Sequence, residues 1–234
     1  MSAPARRRIY LMRHAQVRYF EGIAPREVLL TDDGRHQAAA ARDALQEVRF
    51  DRVITSGLPR TLETAQIVAP YASHESEDDL REIESGELRG VDPNEVQRMM
   101  TAAFRGVVPL DSRFLGGESI AELFDRVLPR FEALLASESW DVALLVLHGG
   151  VNRAILSRAL TGERVFLGGF EQAPGCINVL DVDAEGAFVV RAVNHTPYDP
   201  AHVRAPRTTT MEQLWEEYRR AREARRLVRR AGGP

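Results

Sequence analysis

The chain has 234 residues, 44% of them hydrophobic, and all 31 of its basic residues are arginine. The absence of lysine excludes a Schiff-base lysine, a pyridoxal phosphate anchor and the lysine of a P-loop nucleotide site, so any charged grip on a substrate falls to arginine or histidine. A net charge of -3 gives no global basic field for nucleic acid, and the apolar fraction excludes whole-chain disorder while fitting one α/β domain with an appendage.

Ile9 to Met12 is a short apolar run after Arg6, Arg7 and Arg8. It stops at the polar pair Arg13-His14, as a buried strand opening onto a loop does. Thr31-Asp32-Asp33 supplies a helix N-cap, and Ala38, Ala41, Leu45 and Val48 carry helical spacing through the stretch from Gly34 to Val48. Arg52 to Thr55 reads as a second strand, closed by Ser56-Gly57. Pro59 then suits the first turn of a helix running to Val68. Leu80 to Gly90 is polar and irregular, a loop. From Gly116-Gly117-Glu118-Ser119 a long amphipathic helix runs to about Leu135, with Ile120, Leu123, Val127, Leu128, Phe131 and Leu134 on its apolar face. Val142 to Leu147 has the pattern of a fully buried strand and ends at His148-Gly149-Gly150, after which a helix is expected from Val151 to Leu160. Ile177 to Val182 and Ala187 to Val193 are two further strands joined by Ala184-Glu185-Gly186.

Strands alternating with helices predict a three-layer α/β/α architecture on a mostly parallel, mixed sheet of about six strands. The catalytic unit is expected over residues 1-203. The remaining 204-234 differ in composition, with nine arginines and four glutamates between 204 and 230. Met211, Leu214, Trp215, Tyr218, Ala221 and Val228 fall on one helical stripe there, which predicts a docked helix with a solvated basic face. No apolar run reaches membrane-spanning length, and Met1 to Arg8 has no hydrophobic segment behind it. The expectation is a soluble, cytoplasmic protein without a membrane partner. The single cysteine, Cys176, agrees with a reducing compartment and reads as a small core residue.

In such sheets ligands bind beyond the carboxyl ends of the strands. Three predicted strand ends carry Arg13-His14, Ser56 to Arg60 and His148-Gly149, and no serine or cysteine has the flanking pattern of a nucleophile elbow. Two arginines and two histidines select phosphate chemistry, because guanidinium groups offer a phosphoryl group charge-assisted, bidentate hydrogen bonds. Glycines opening a helix let backbone N–H groups approach an anion. Neither histidine spacing nor the lone cysteine points to a metal, and no cofactor is required.

Five ordered blocks carry a resemblance. Leu11-Met12-Arg13-His14-Ala15-Gln16 resembles the Arg-His-Gly signature of the histidine phosphatase superfamily, the phosphoglycerate mutase-like proteins. Leu30-Thr31-Asp32-Asp33-Gly34 with Gln37-Ala38, Thr55 to Arg60 with Thr64-Ala65, Leu80 to Gly86 with Gly90, and Val146 to Gly150 follow in that family's order. The resemblance covers roughly residues 8 to 200 and implies a phosphoglycerate mutase-like fold. It implies His14 as nucleophile, Glu82 as general acid and base, and Arg13, Arg60 and His148 as the phosphoryl grip, with Gln16 and the N–H of Gly149 as secondary phosphate contacts. Glu84 and Glu87 are rivals for the acid. His36, His74, His195 and His202 have no partners in the pattern.

The chain also departs from the family: Ala15 replaces a glycine and is tolerated only at negative φ, Gly57 replaces an acidic residue and Leu88 a tryptophan. The loop Val17 to Leu29 lacks the usual asparagine and offers Arg18, Tyr19 and Arg26.

The implied activity is hydrolysis of a small phosphorylated metabolite through a phosphohistidine, a phosphoric monoester hydrolase of histidine acid phosphatase type. The alternative is a 2,3-bisphosphoglycerate-dependent phosphoglycerate mutase. Against it stand the short separation of Gly90 and Gly116, 25 residues from 91 to 115, and the lack of the lysine that mutases use. A second alternative is a catalytically weak scaffold binding an acidic partner through its arginine-rich tail. Exposed edges and the tail helix are compatible with a homodimer.

Overall fold

A computed structural model describes residues 6–231 apart from 89 and 138, with side chains to 228. Its elements, in chain order, are β1 (Arg7–Arg13), α1 (Asp32–Ala44), β2 (Arg52–Thr55), α2 (Pro59–Val68), β3 (His74–Ser76), α3 (Pro93–Ala102), β4 (Val107–Val108), α4 (Ile120–Ala136), β5 (Val142–Leu147), α5 (Gly149–Thr161), β6 (Phe166–Leu167), β7 (Ile177–Val182), β8 (Phe188–His195) and α6 (Thr210–Ala231). The main sheet has six strands in the order β3-β2-β5-β1-β7-β8. The β3/β2, β2/β5 and β5/β1 pairs are parallel, while β7 and β8 add antiparallel edges.

The sheet is buried on both faces because its central strands alternate apolar side chains between two cores. Ile9, Leu11, Leu145 and Leu147 pack under α4 and α5, and Met12, Leu144 and Val146 pack under α1 and α2. This is the three-layer arrangement expected from the alternation of elements.

The helix starts follow their capping residues. Thr31 accepts from the backbone N–H of Gly34 at the head of α1, Pro59 opens α2, and Ser119 with Glu122 forms a reciprocal capping box on α4. α5 begins at Gly149, two residues earlier than its apolar periodicity indicates. The periodicity starts at Val151 because glycine carries no side chain to register it.

The segment 91 to 115, without an assigned element in the sequence, contains α3, whose Val96 and Met100 join Leu115, Met211 and Trp215 of α6 in a third apolar cluster. That cluster ends at Tyr218. Val228, on the predicted stripe, is 72% exposed, so the docked length of α6 is its N-terminal half. Among the described residues no helix is long and apolar enough to cross a membrane.

Candidate active site

Strand register brings the site together. Arg13 lies opposite Leu147 and Thr55 opposite Val146 on neighbouring parallel strands, so the residues that follow, His14, Ser56 and His148, emerge side by side at one edge. The backbone N–H of His14 donates to Leu147 O at 2.9 Å. The imidazoles of His14 and His148 sit edge to face with centroids 5.3 Å apart.

His14 is 1% exposed, and its Nδ1 lies 2.8 Å from Ala15 O. A bond from Nδ1–H to that carbonyl leaves Nε2 as the unprotonated nitrogen. Burial, reinforced by the nearby Arg60 and Arg13 guanidinium groups, holds the ring's pKa well below its ordinary value, so His14 is neutral at pH 7. The same causes act on His148, whose Nε2 is 2.7 Å from Ser56 Oγ. Ala15 has no positive φ, so the glycine otherwise found there is not needed.

Arg60 rises from the first turn of α2, 4% exposed, and donates to Pro25 O at 2.9 Å. Arg13 donates to Gln172 O at 2.5 Å. Each keeps its Nε buried without a partner, as does His148 Nδ1. With Nε of Arg81, four buried side-chain atoms among the described residues thus lack a hydrogen bond, which is rare and costly unless an acceptor-rich group is bound there.

Glu82 belongs to the irregular stretch after Leu80, and tertiary contacts hold it in place. Leu80 and Ile83 are buried in the core under α4 and α5. Gly86 donates to Leu115 O at 3.2 Å, and Glu118 donates to Glu84 O at 2.8 Å. The two backbones approach so closely that a Cβ on Gly117 would lie 2.2 Å from Glu84 O. Glu82 Oε1 accepts the backbone N–H groups of Ile83 and Gly150, both at 3.0 Å. A Cβ on Gly150 would come within 2.8 Å of that oxygen, so only glycine allows the carboxylate to reach the start of α5. The rivals lie elsewhere, since Glu84 is exposed and paired with Arg26 at 2.5 Å and Glu87 is exposed.

Arg13, Arg60, Glu82, Gly149 and Gly150 share one cavity of about 650 Å³. Gln16 does not line it; its Oε1 accepts from the Thr31 hydroxyl at 2.7 Å. Tyr19 covers His14. Its hydroxyl is 3.4 Å from His14 Nε2, and its ring lies 5.7 Å beneath the Arg60 guanidinium. Burial raises the Tyr19 phenol above its usual range. Glu217 of α6 accepts the Tyr19 backbone N–H at 2.7 Å, which ties the 17–29 loop to the C-terminal helix.

Sequence reasoning missed Arg153. It is 4% exposed and donates to Gly149 O and Gly168 O, each at 3.1 Å, and burial lowers its pKa to about 10. An arginine one turn after Gly149, on a helix otherwise apolar along that face, was the available signal.

A family model described as the histidine phosphatase superfamily (branch 1) matches residues 9–196. The chain belongs to that superfamily. It is 33% identical over 170 residues to a glucosyl-3-phosphoglycerate phosphatase from Mycolicibacterium vanbaalenii, covering 67% of this chain and 75% of that one. It is 30% identical over 148 residues to phosphoglycerate mutase-like protein 4 from Arabidopsis thaliana, covering 59% and 63%. The chain spans only 40% and 42% of two longer relatives from Arabidopsis thaliana and Triticum aestivum. The crystal structure of the alpha-ribazole phosphatase from Shigella flexneri superposes with a TM-score of 0.64 over 80% of this chain and 96% of that one; at 20% identity the likeness is one of fold.

Proposed function

We propose, with membership of this superfamily as the premise, that the protein is a phosphomonoesterase in which His14 is the nucleophile and Glu82 the general acid and base. The observation that carries the reading is that Arg13 Nε, Arg60 Nε and His148 Nδ1 are buried and unpartnered beside a neutral, oriented His14.

A phosphoryl group placed among these atoms accepts hydrogen bonds from both guanidinium groups. A Ser56 hydroxyl donating to His148 Nε2 puts that ring's proton on Nδ1, which makes it a third donor. The N–H of Gly149, at the N-terminus of α5, adds a helix-end donor. Together they neutralise the charge on the equatorial oxygens in the transition state.

Nε2 of His14 attacks phosphorus as the ester P–O bond breaks, and Glu82 gives its proton to the departing oxygen. In the second step Glu82 takes a proton from water, the water oxygen bonds to phosphorus, and the N–P bond breaks. Inorganic phosphate leaves and His14 returns to its neutral form. Tyr19 moves off Nε2 when substrate enters, since its hydroxyl occupies the direction from which phosphorus approaches.

The mutase reading needs a second anion site for the carboxylate or second phosphate of its substrate. The other arginines of the cavity each have a carboxylate partner, Arg26 in Glu84, Arg81 in Asp78 and Arg153 in Glu171, and of these only Arg81 has a buried Nε without a partner. Hydrolysis of 4-nitrophenyl phosphate, and trapping of an acid-labile, alkali-stable phosphoenzyme that His14→Ala abolishes, test the proposal. Unchanged turnover in that variant overturns it, and efficient isomerisation of 3-phosphoglycerate with a 2,3-bisphosphoglycerate primer overturns the choice of hydrolase over mutase.

A further inference from the structure

Beyond the phosphate-facing groups, the cavity changes character. Its far wall is apolar, made by Phe20, Met100, Phe104, Phe114, Leu115 and Met211, drawn from the 17–29 loop, α3, the segment before α4 and α6.

Three observations mark this wall as built. Phe104 takes a positive φ of 60°, a conformation that costs a bulky residue energy and persists only where the surroundings impose it. They do so from both sides. A Cβ on Gly168 would lie 2.7 Å from the Phe104 backbone, and the Phe104 ring is stacked on Phe114 at 5.2 Å with the Arg153 guanidinium 4.9 Å away on it. Leu115 is likewise held at a φ of 50°, while its side chain joins Met100 and Met211 in the third apolar cluster.

The charges around this wall are paired, as Arg26 with Glu84 and Arg81 with Asp78, or tied up as Arg153 is by two carbonyls; Glu27 adds a carboxylate. A second anionic group there would compete with Asp78 and Glu84 for arginines already paired with them, and would face Glu27. An apolar group would exchange water for ring and thioether surface.

We propose that this wall is the binding site for the alcohol part of the substrate, and that the substrate is the phosphomonoester of an apolar, ring-bearing alcohol without a second anionic group. The inference rests on the phosphomonoesterase reading and adds to it the chemical class of the leaving group.

The test compares kcat/KM for 2-phenylethyl phosphate, ethyl phosphate and 3-phosphoglycerate. The first two leaving alcohols are alike in acidity, so their ratio reports binding of the ring rather than ease of P–O cleavage. Burial of a phenyl group predicts a ratio of about 30-fold in favour of the phenylethyl ester, with 3-phosphoglycerate no better than ethyl phosphate. Met211→Ala and Phe114→Ala each lower the ratio several-fold, and Met211→Leu restores it. A ratio near one, or a preference for 3-phosphoglycerate, overturns the substrate class; if His14→Ala is inactive in the same assays, the phosphomonoesterase reading survives. If the wild-type protein hydrolyses none of these esters and no 4-nitrophenyl phosphate, that reading falls, and the substrate class falls with it.

Discussion

The groups at the strand ends beside the cavity follow directly from adjacent strands in register, whereas the apolar wall of the cavity is assembled from segments far apart in the chain. At the strand ends, His14, Ser56 and His148 each stand one residue past a strand, and hydrogen-bonded neighbours fix their spacing. At the apolar wall, Phe20, Phe104, Leu115 and Met211 are brought together by a loop, a strained turn and the first turns of α6. Chemistry common to a family can rest on a pattern that sheet geometry enforces, while substrate choice rests on segments free to vary because few ladder bonds constrain them. Substitutions in the two regions should therefore differ in kind: those at the strand ends lower kcat for every ester, those at the apolar wall change which ester is preferred.

The largest effect is expected from His14→Ala, which removes the proposed attacking atom and should lower kcat for 4-nitrophenyl phosphate by about 10⁴-fold or more. Glu82→Gln should cost about 10²- to 10⁴-fold with ethyl phosphate and less with 4-nitrophenyl phosphate, whose leaving group needs little protonation. Equal losses on the two esters would show that Glu82 does not protonate the leaving oxygen. Gly150→Ala pushes the Glu82 carboxylate from its place. A displacement of that size predicts a loss of about 10²-fold in kcat, again larger for the alkyl ester, with the apolar preference intact.

A smaller effect concerns stability. His14 and His148 both have native pKa values held below the 6.5 of the unfolded chain. As pH falls below 6.5 the unfolded state takes up protons that the native state refuses, so stability is full above 6.5 and declines below it. Thermal unfolding should show a lower Tm at pH 5.5 than at pH 7.5, and His14→Ala should shrink that difference. The smallest effect is expected from Arg26→Ala. The Arg26–Glu84 side chains are 66% and 50% exposed, and such a pair contributes at most about 1 kcal/mol, which chemical denaturation would register as little change.

Much of the sheet and its strand-end residues was legible in the sequence because the signals are local. Short strand patterns of four to six residues ended at Arg13-His14, Thr55-Ser56 and Leu147-His148, and Pro59 and Ser119 announced their helices. What local pattern does not carry is a contact between distant segments. The choice of Glu82 over Glu84 depends on Gly150 and on the backbone contact of Gly86 with Leu115. The side chain of Gln16 goes to Thr31 because α1 begins beside it. Arg153 is set apart by its burial and its bonds to Gly149 O and Gly168 O, which packing alone creates. Tyr19 was one residue of an atypical loop, and its position over His14 follows from a carboxylate nearly 200 residues further on, Glu217.

The sequence by itself determined the α/β alternation, the family and the arginine and histidine character of the strand ends, because strand periodicity, capping and the absence of lysine are properties of short stretches and of composition. Tertiary structure alone decided which carboxylate meets the start of α5, what covers His14 and that one wall of the cavity is apolar. Those outcomes depend on which segments pack against one another, and packing is settled by the burial of surfaces separated by up to two hundred residues.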